Sequence, residues 1–255
     1  DWSSDVCSSD LDFKDWVPPA LVYFKRFRQQ PKLLAEFFQS LERLTYFLLV
    51  TKVGINERIE TYAALTKEIE PETFKGDLAA LTTLTLTDAQ KRKFVAALDG
   101  DVYDDLPKAR MALVLRLESL VRAPGVQLQD AVSLEHVLPQ TPPDGSDWIK
   151  WFPDEDERDG WTHRLANLVP LDRNKNSSAS NYDFAKKKDA YFRGKGTASP
   201  FVLTQEVRSE SEWTPTLLTA RQKRLVNVLS THWNLEIAAD NSLPAAAVTA
   251  GGLTS

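Results

Sequence analysis

A change of apolar period near residue 124 constrains the fold more than any other feature of the chain. Before it, nonpolar residues return three and four positions apart. From Pro31 to Val53, Leu33, Leu34, Phe37, Phe38, Leu41, Leu44, Phe47 and Leu48 recur at helical spacing, which predicts a long helix with one buried face. Asn56 is a candidate cap for a second helix through Ile59, Tyr62, Ala63 and Ile69, ended by Pro71. Thr87 and Gln90 have the spacing of a capping box for a third helix that stops near Gly100. Pro107 suits the first turn of a fourth, with Met111, Val114, Leu117 and Val121 along one face. Residues 12–123 therefore read as a helical bundle.

After Ala123-Pro124-Gly125, the residues Val126, Leu128, Val132 and Leu134 favour short extended segments, and Leu165 to Leu171 can form a partner strand. Pro170 removes one ladder donor, so that strand is expected at an edge or bulge. Residues 179–192 have Tyr182, Ala185, Lys186 and Asp189 at helical spacing, which completes a ββα order within residues 124–196. A last helix is expected over 217–233, inside a helical extension at 197–237. The Ala, Gly, Ser and Thr of 238–255 read as a disordered tail. The expected fold class is α+β.

Composition narrows the setting. A net charge of −5 argues against indiscriminate binding to nucleic acid but leaves room for a local groove. From Arg164 to Lys195, eight Lys and Arg stand against three Asp, while residues 144–159 carry seven acids against two bases. The basic segment accompanies a short chemical motif, as phosphate binding would require. The one cysteine, Cys7, falls in the first eleven residues, so disulfides and a Cys-ligated zinc are not expected elsewhere. No uncharged apolar run approaches the ~20 residues of a membrane span. A soluble, cytoplasmic protein is expected.

The motif is Glu-His-Val-Leu-Pro-Gln at residues 135–140, followed by Asn167 in Ala-Asn-Leu and Asn176 in Lys-Asn-Ser-Ser. Hydrolysis of a phosphodiester needs a base for water and a cation for the charge that builds on the phosphate. His136 is the natural base, since imidazole titrates near neutrality. Glu135 and Asn176 offer the hard oxygen atoms that Mg²⁺ (or Mn²⁺) prefers, and Asn167 could hold the imidazole in one tautomer. Each residue also has an ordinary structural reading. Glu135 could be a surface carboxylate, because adjacent strand residues face opposite ways. Asn167 could cap a strand end and Asn176 a helix, and Asn174 competes with Asn176 as a ligand. His163, in the loop before the second strand, could touch phosphate but reads first as a surface histidine, and His232 reads as a structural one. Arg164, Arg173, Lys175, Lys186, Lys187 and Lys188 are candidate phosphate contacts.

The order Glu-His-x-x-Pro-Gln, Asn-Leu-x-x-Leu, Asn-Ser-Ser-x-Ser-Asn resembles the C-terminal nuclease domain of GmrSD-type modification-dependent restriction endonucleases, a branch of the His-Me finger (HNH) nucleases. The HNH domain of RNA-guided CRISPR effectors is similar in the same residues. Trp213, Arg221, Arg224 and Trp233 fit the family's C-terminal Trp- and Arg-rich helix, so the likeness covers residues 40–236. It implies a ββα-metal core in which His136 ends the first strand, Asn167 lies on the second and Asn176 opens the helix. It implies a metal-dependent DNA endonuclease or nickase in phage defence, acting on DNA that includes base-modified DNA. Ala166 and Val169-Pro170 depart from the family's usual Gly and Thr. The family's N-terminal nucleotide-hydrolysing, ParB-like domain has no counterpart here. Residues 1–11 resemble translated sequencing-adapter read-through at the edge of a metagenomic gene, so a fragment is expected. A rival reading is a binding module that grips nucleic acid or a partner subunit without cutting, and a third is an RNA-directed toxin nuclease.

Overall fold

The computed structural model of the chain describes residues 13–123, 132–172, 181–193 and 199–237. These are mostly helical, with one two-stranded antiparallel sheet, consistent with the α+β class. Residues 1–12, those from 238 on, and Arg173, Asn174, Lys175 and Asn176 lie outside the described residues. No helix among the described residues is long and apolar enough to cross a membrane.

The first half follows its apolar period. Helices α1 (Val17–Phe27), α2 (Pro31–Val50) and α3 (Ile55–Ile69) pack around Tyr23, Phe37, Tyr62, Leu65 and Ile69. Tyr23 and Phe37 lie parallel with ring centres 3.8 Å apart. Asn56 does not cap α3. Gly54 takes the extended N-cap conformation one residue before the helix, which leaves Asn56 inside the first turn. The Thr87–Gln90 capping box does start α4 (Asp88–Leu98), with both reciprocal bonds made.

Pro107 opens no helix. A short α5 (Val102–Asp105) is followed by a turn in which the Ala109 and Arg110 amides both donate to the Leu106 carbonyl, and α6 starts only at Arg110 (Arg110–Val121). Burial of Leu106 and Ala109 explains the delay, because the turn tucks both side chains into the core. Helix α6 is more than an amphipathic stripe. Ala112, Leu113, Val114, Leu115, Leu117 and Glu118 are all buried, so it runs through the middle of the molecule.

Strand β1 (Val132–His136) pairs antiparallel with β2 (Leu168–Asp172), setting Glu135 opposite Val169 and His136 opposite Leu168. The second strand begins later than expected, since Leu165–Asn167 form a 3-10 turn before it. Pro170 faces Leu134 in the ladder, and its carbonyl accepts the Thr204 hydroxyl. The acidic insertion folds as two short helices, α7 (Asp147–Trp151) and α8 (Glu155–Thr162), before the chain turns into β2. Helices α9 (Phe184–Arg193), α10 (Val202–Ser209) and α11 (Pro215–His232) follow.

Helix α11 crosses back to the first half and is tied there by a polar cluster. Arg116 on α6 donates two 2.7 Å bonds to the Glu42 carboxylate on α2. The Trp233 indole and the His232 ring reach the same carboxylate at 3.0 and 3.3 Å. Trp233 itself is fully buried against Tyr46 and Phe94. Burial alone would raise the Glu42 carboxyl, but the hydrogen bonds and charges of His232, Arg116 and Trp233 overcome this and hold it below the ordinary 4.5. As pH falls, the unfolded chain therefore takes up this proton before the folded one does. The cluster's contribution is fully present above about pH 4.5 and is lost below it. Replacing Glu42 by Gln should lower stability at neutral pH and flatten the acid limb of a urea-midpoint profile. Parallel acid limbs for variant and wild type would remove the cluster from this account.

Candidate active site

The site begins where β1 ends. Asn167, fully buried, meets the chain just after His136 with its main chain and side chain together. Its carbonyl accepts the Val137 amide at 3.0 Å, and its Oδ1 accepts the Leu138 amide at 2.7 Å. Its Nδ2 donates to the carbonyls of Leu138 and Thr162 at 2.9 and 2.8 Å, and the Trp213 indole donates to Oδ1 at 3.1 Å. An amide has two donors and two acceptor positions, and all four are used here. Asn167 therefore extends the ladder by side chain where the backbone of β2 turns away.

The turn that carries Asn167 is held from α11. Gln222 Oε1 accepts the Ala166 amide at 2.8 Å, and Arg221 Nε donates to the Ala166 carbonyl at 3.1 Å. Gln222 Nε2 continues to the Leu98 carbonyl and to Asp99 Oδ1, so the turn, α11 and the end of α4 form one unit. Ala166 is itself fully buried.

His136 is 8 % exposed. Its Nε2 lies 3.2 Å from Nδ1 of His163, and Gln140 Nε2 lies 3.3 Å from its Nδ1. The Tyr103 ring meets its edge at 4.3 Å, with the Arg110 guanidinium 3.8 Å from the centre of that tyrosine ring. Burial, helped by the nearby His163, Lys187 and Arg110, pushes the imidazole down to about 3. A ring in that state is neutral at ordinary pH and has a lone pair available to accept a proton.

Glu135, on the other face of the strand end, points inward rather than to solvent. Lys187 of α9, only 1 % exposed, donates to Glu135 Oε1 at 2.7 Å and to the His136 carbonyl at 2.6 Å. The Tyr191 hydroxyl, one turn on, donates to the same Oε1 at 3.2 Å. Burial raises the Glu135 carboxyl and lowers the Lys187 ammonium, while their mutual attraction opposes both shifts. The pair thus locks α9 to the strand that ends in His136.

Residues 87–228, more than half of the chain, match the family described as GmrSD restriction endonucleases, C-terminal domain. The chain belongs to this family. The matched span contains His136, Asn167, Lys187 and the α11 residues that hold the Asn167 turn. Among curated proteins, none matches the chain. Membership makes this GmrSD-family domain a restriction-endonuclease module.

Several sequence expectations change in the structure of this GmrSD-family domain. Asn167 does not touch the His136 ring, because each of its four hydrogen-bonding positions is spent on the surrounding backbone and on Trp213. Lys187 is no phosphate contact, being buried against Glu135. Lys188 folds over Phe184 and donates to the Glu210 carbonyl at 2.7 Å, which leaves Lys186 as the exposed lysine of the three, above the Tyr182 ring. Arg164 lies against Trp161 and donates to the Gly160 carbonyl. Arg173, Lys175 and Asn176 are outside the described residues.

Three contributors were missed. His163 is no ordinary surface residue but a direct neighbour of His136, and Tyr103 and Arg110 come from the α5–α6 turn. Nothing in their spacing links them to the motif. Arg221 was recognised only as part of an Arg-rich helix, and Gln222 lay beside it. Among the described residues no group of three or more His, Cys, Asp and Glu could hold a metal ion. Glu135, the carboxylate next to His136, already faces an ammonium, so as placed it fits a cation poorly.

Lys187→Met should cost about 3–5 kcal/mol in urea unfolding, because it leaves a buried carboxylate without its partner. Adding Glu135→Gln should recover much of that loss. A single variant within ~0.5 kcal/mol of wild type would show that the pair contributes nothing.

Proposed function

We propose that this chain is the cutting module of a restriction system, a divalent-metal-dependent DNA endonuclease or nickase of the His-Me finger (HNH) type. The observation that carries the reading is the family match over residues 87–228, at whose centre stands His136 with a lone pair held neutral by its surroundings. The strand, strand, helix order of β1, β2 and α9, with Lys187 reaching from the helix to the strand that ends in His136, supports the ββα subtype. In this reading His136 takes a proton from the attacking water, a step worth ~10²–10⁴-fold. Asn167 acts through the backbone, keeping Val137 and Leu138 in register so that the imidazole stays at the strand end.

A bound Mg²⁺ or Mn²⁺ would supply charge neutralisation at the phosphate and the leaving oxygen. Of the expected ligands, Glu135 would first have to part from Lys187, and Asn176 is therefore the stronger candidate. Lys186 and Arg164, with Arg173 and Lys175, are the proposed phosphate contacts. The domain would act in the cytoplasm, in phage defence, on DNA that includes base-modified DNA. Its expected partner is a nucleotide-hydrolysing domain of a longer protein, to which this chain would belong as a fragment.

Supercoiled plasmid incubated with the protein and Mg²⁺ should be nicked or linearised, and His136→Ala should lose at least ~10²-fold of that rate. Equal cutting by both proteins would sink the assignment. DNA binding without cutting by wild type would favour a module that only grips nucleic acid.

A further inference from the structure

We propose that His163, oriented by Asp104, is a positioning residue that fixes the tautomer of His136, with the proton on Nε2 and the lone pair on Nδ1. The inference rests on the reading of His136 as the base. It assigns the orienting role to a second imidazole from the loop after α8, in place of Asn167.

A line of polar neighbours runs from Asp104 through His163 to His136. A neutral imidazole has one donor nitrogen and one acceptor nitrogen. Asp104 Oδ2 lies 3.5 Å from His163 Nε2, longer than a hydrogen bond, and its negative charge favours the His163 proton on that nearer nitrogen. His163 Nδ1 is then an acceptor. It lies 3.2 Å from His136 Nε2, which must be the donor of that contact. The lone pair of His136 is thereby left on Nδ1. The Gln140 amide nitrogen stands at the ring edge, 3.3 Å from Nδ1 and 3.4 Å from Nε2, so the contact with His163 is the one that sets the tautomer.

The surroundings keep the two rings in this relation. The Val102 and Tyr103 amides both donate to the His163 carbonyl at 3.1 Å, which fixes the turn that carries Asp104 onto the residue that Asp104 addresses. The Tyr103 ring lies nearly parallel to His163, at 20° and 5.5 Å, and meets the His136 ring at 66°. Tyr103 is in turn held by Arg110, which donates to its carbonyl at 2.8 Å. The helical region thus contributes an orienting arm to a motif some thirty residues away in the chain.

The test is the long-range nitrogen–proton NMR spectrum of the imidazoles, which can be assigned because the chain has 3 histidines. Wild type should show His136 protonated on Nε2. In His163→Ala the His136 signals should move toward a tautomer mixture, and kcat for plasmid cutting should fall about 10–100-fold with KM little changed, as for other groups that orient a functional imidazole. In His163→Asn, whose side-chain oxygen can still accept, the Nε2 tautomer and most of the rate should return. His136 protonated on Nδ1 in wild type would overturn the proposal, as would a His136 signal unchanged by His163→Ala or a wild-type tautomer lost in His163→Asn. The spectrum does not depend on turnover. If the tautomer follows His163 but the wild type does not cut DNA, the positioning stands and the nuclease reading fails.

Discussion

Asn167 is the contact on which the rest of the site depends. A buried amide with all four hydrogen-bonding positions occupied is costly to disturb, because removing any partner leaves a polar group in the interior, at about 1–3 kcal/mol each. Its bonds to Leu138 stop the chain after β1 from fraying where two strands alone would give weak support. His136 is therefore presented by a short sheet made rigid from outside. Helix α11 provides that support through Gln222 and Arg221, and α9 adds Lys187 at the His136 carbonyl.

The same device recurs through the molecule, with polar groups buried at the joints between elements. Glu118, fully buried on α6, accepts the Val202 and Leu203 amides at 2.7 and 2.9 Å and so receives the start of α10. An acid at a helix N-terminus satisfies free amides and meets the positive end of the dipole. Arg221 pairs with Glu206 and reaches the Leu203 carbonyl, which binds α11 to α10. Such joints add less to stability than apolar packing of the same volume would, yet each admits only one geometry. In a domain whose chemistry depends on where one imidazole stands, that selectivity is the useful property.

Much of the architecture was legible in the residues because it follows from periodicity and local chemistry. Leu33 to Leu48 marked α2, Thr87 and Gln90 marked the start of α4, and the Glu-His-x-x-Pro-Gln motif with Asn167 marked the strand pair. What stayed hidden was set by contacts distant in the chain. Lys187 read as one of three candidate phosphate contacts, and only the fold shows that the middle one faces Glu135, 52 residues earlier. His163 carried no local signal, since its meaning depends on two turns meeting. Pro107 and Asn56 had good local propensity for roles that tertiary packing assigned elsewhere. Asn167 was recognised as part of the site, but the atoms it addresses could not be read from spacing.

If Asn167 holds the His136 loop as described, the amide of Leu138 should be among the slowest to exchange with deuterium, although it lies in a loop. Its protection in native-state exchange should approach that of Leu113 on the buried helix α6, where opening is expected only with the whole fold. Leu138 exchanging at close to the unprotected rate, while Leu113 remains protected, would contradict the account, because the Asn167 contact would then be a minor conformation and His136 would have no fixed seat.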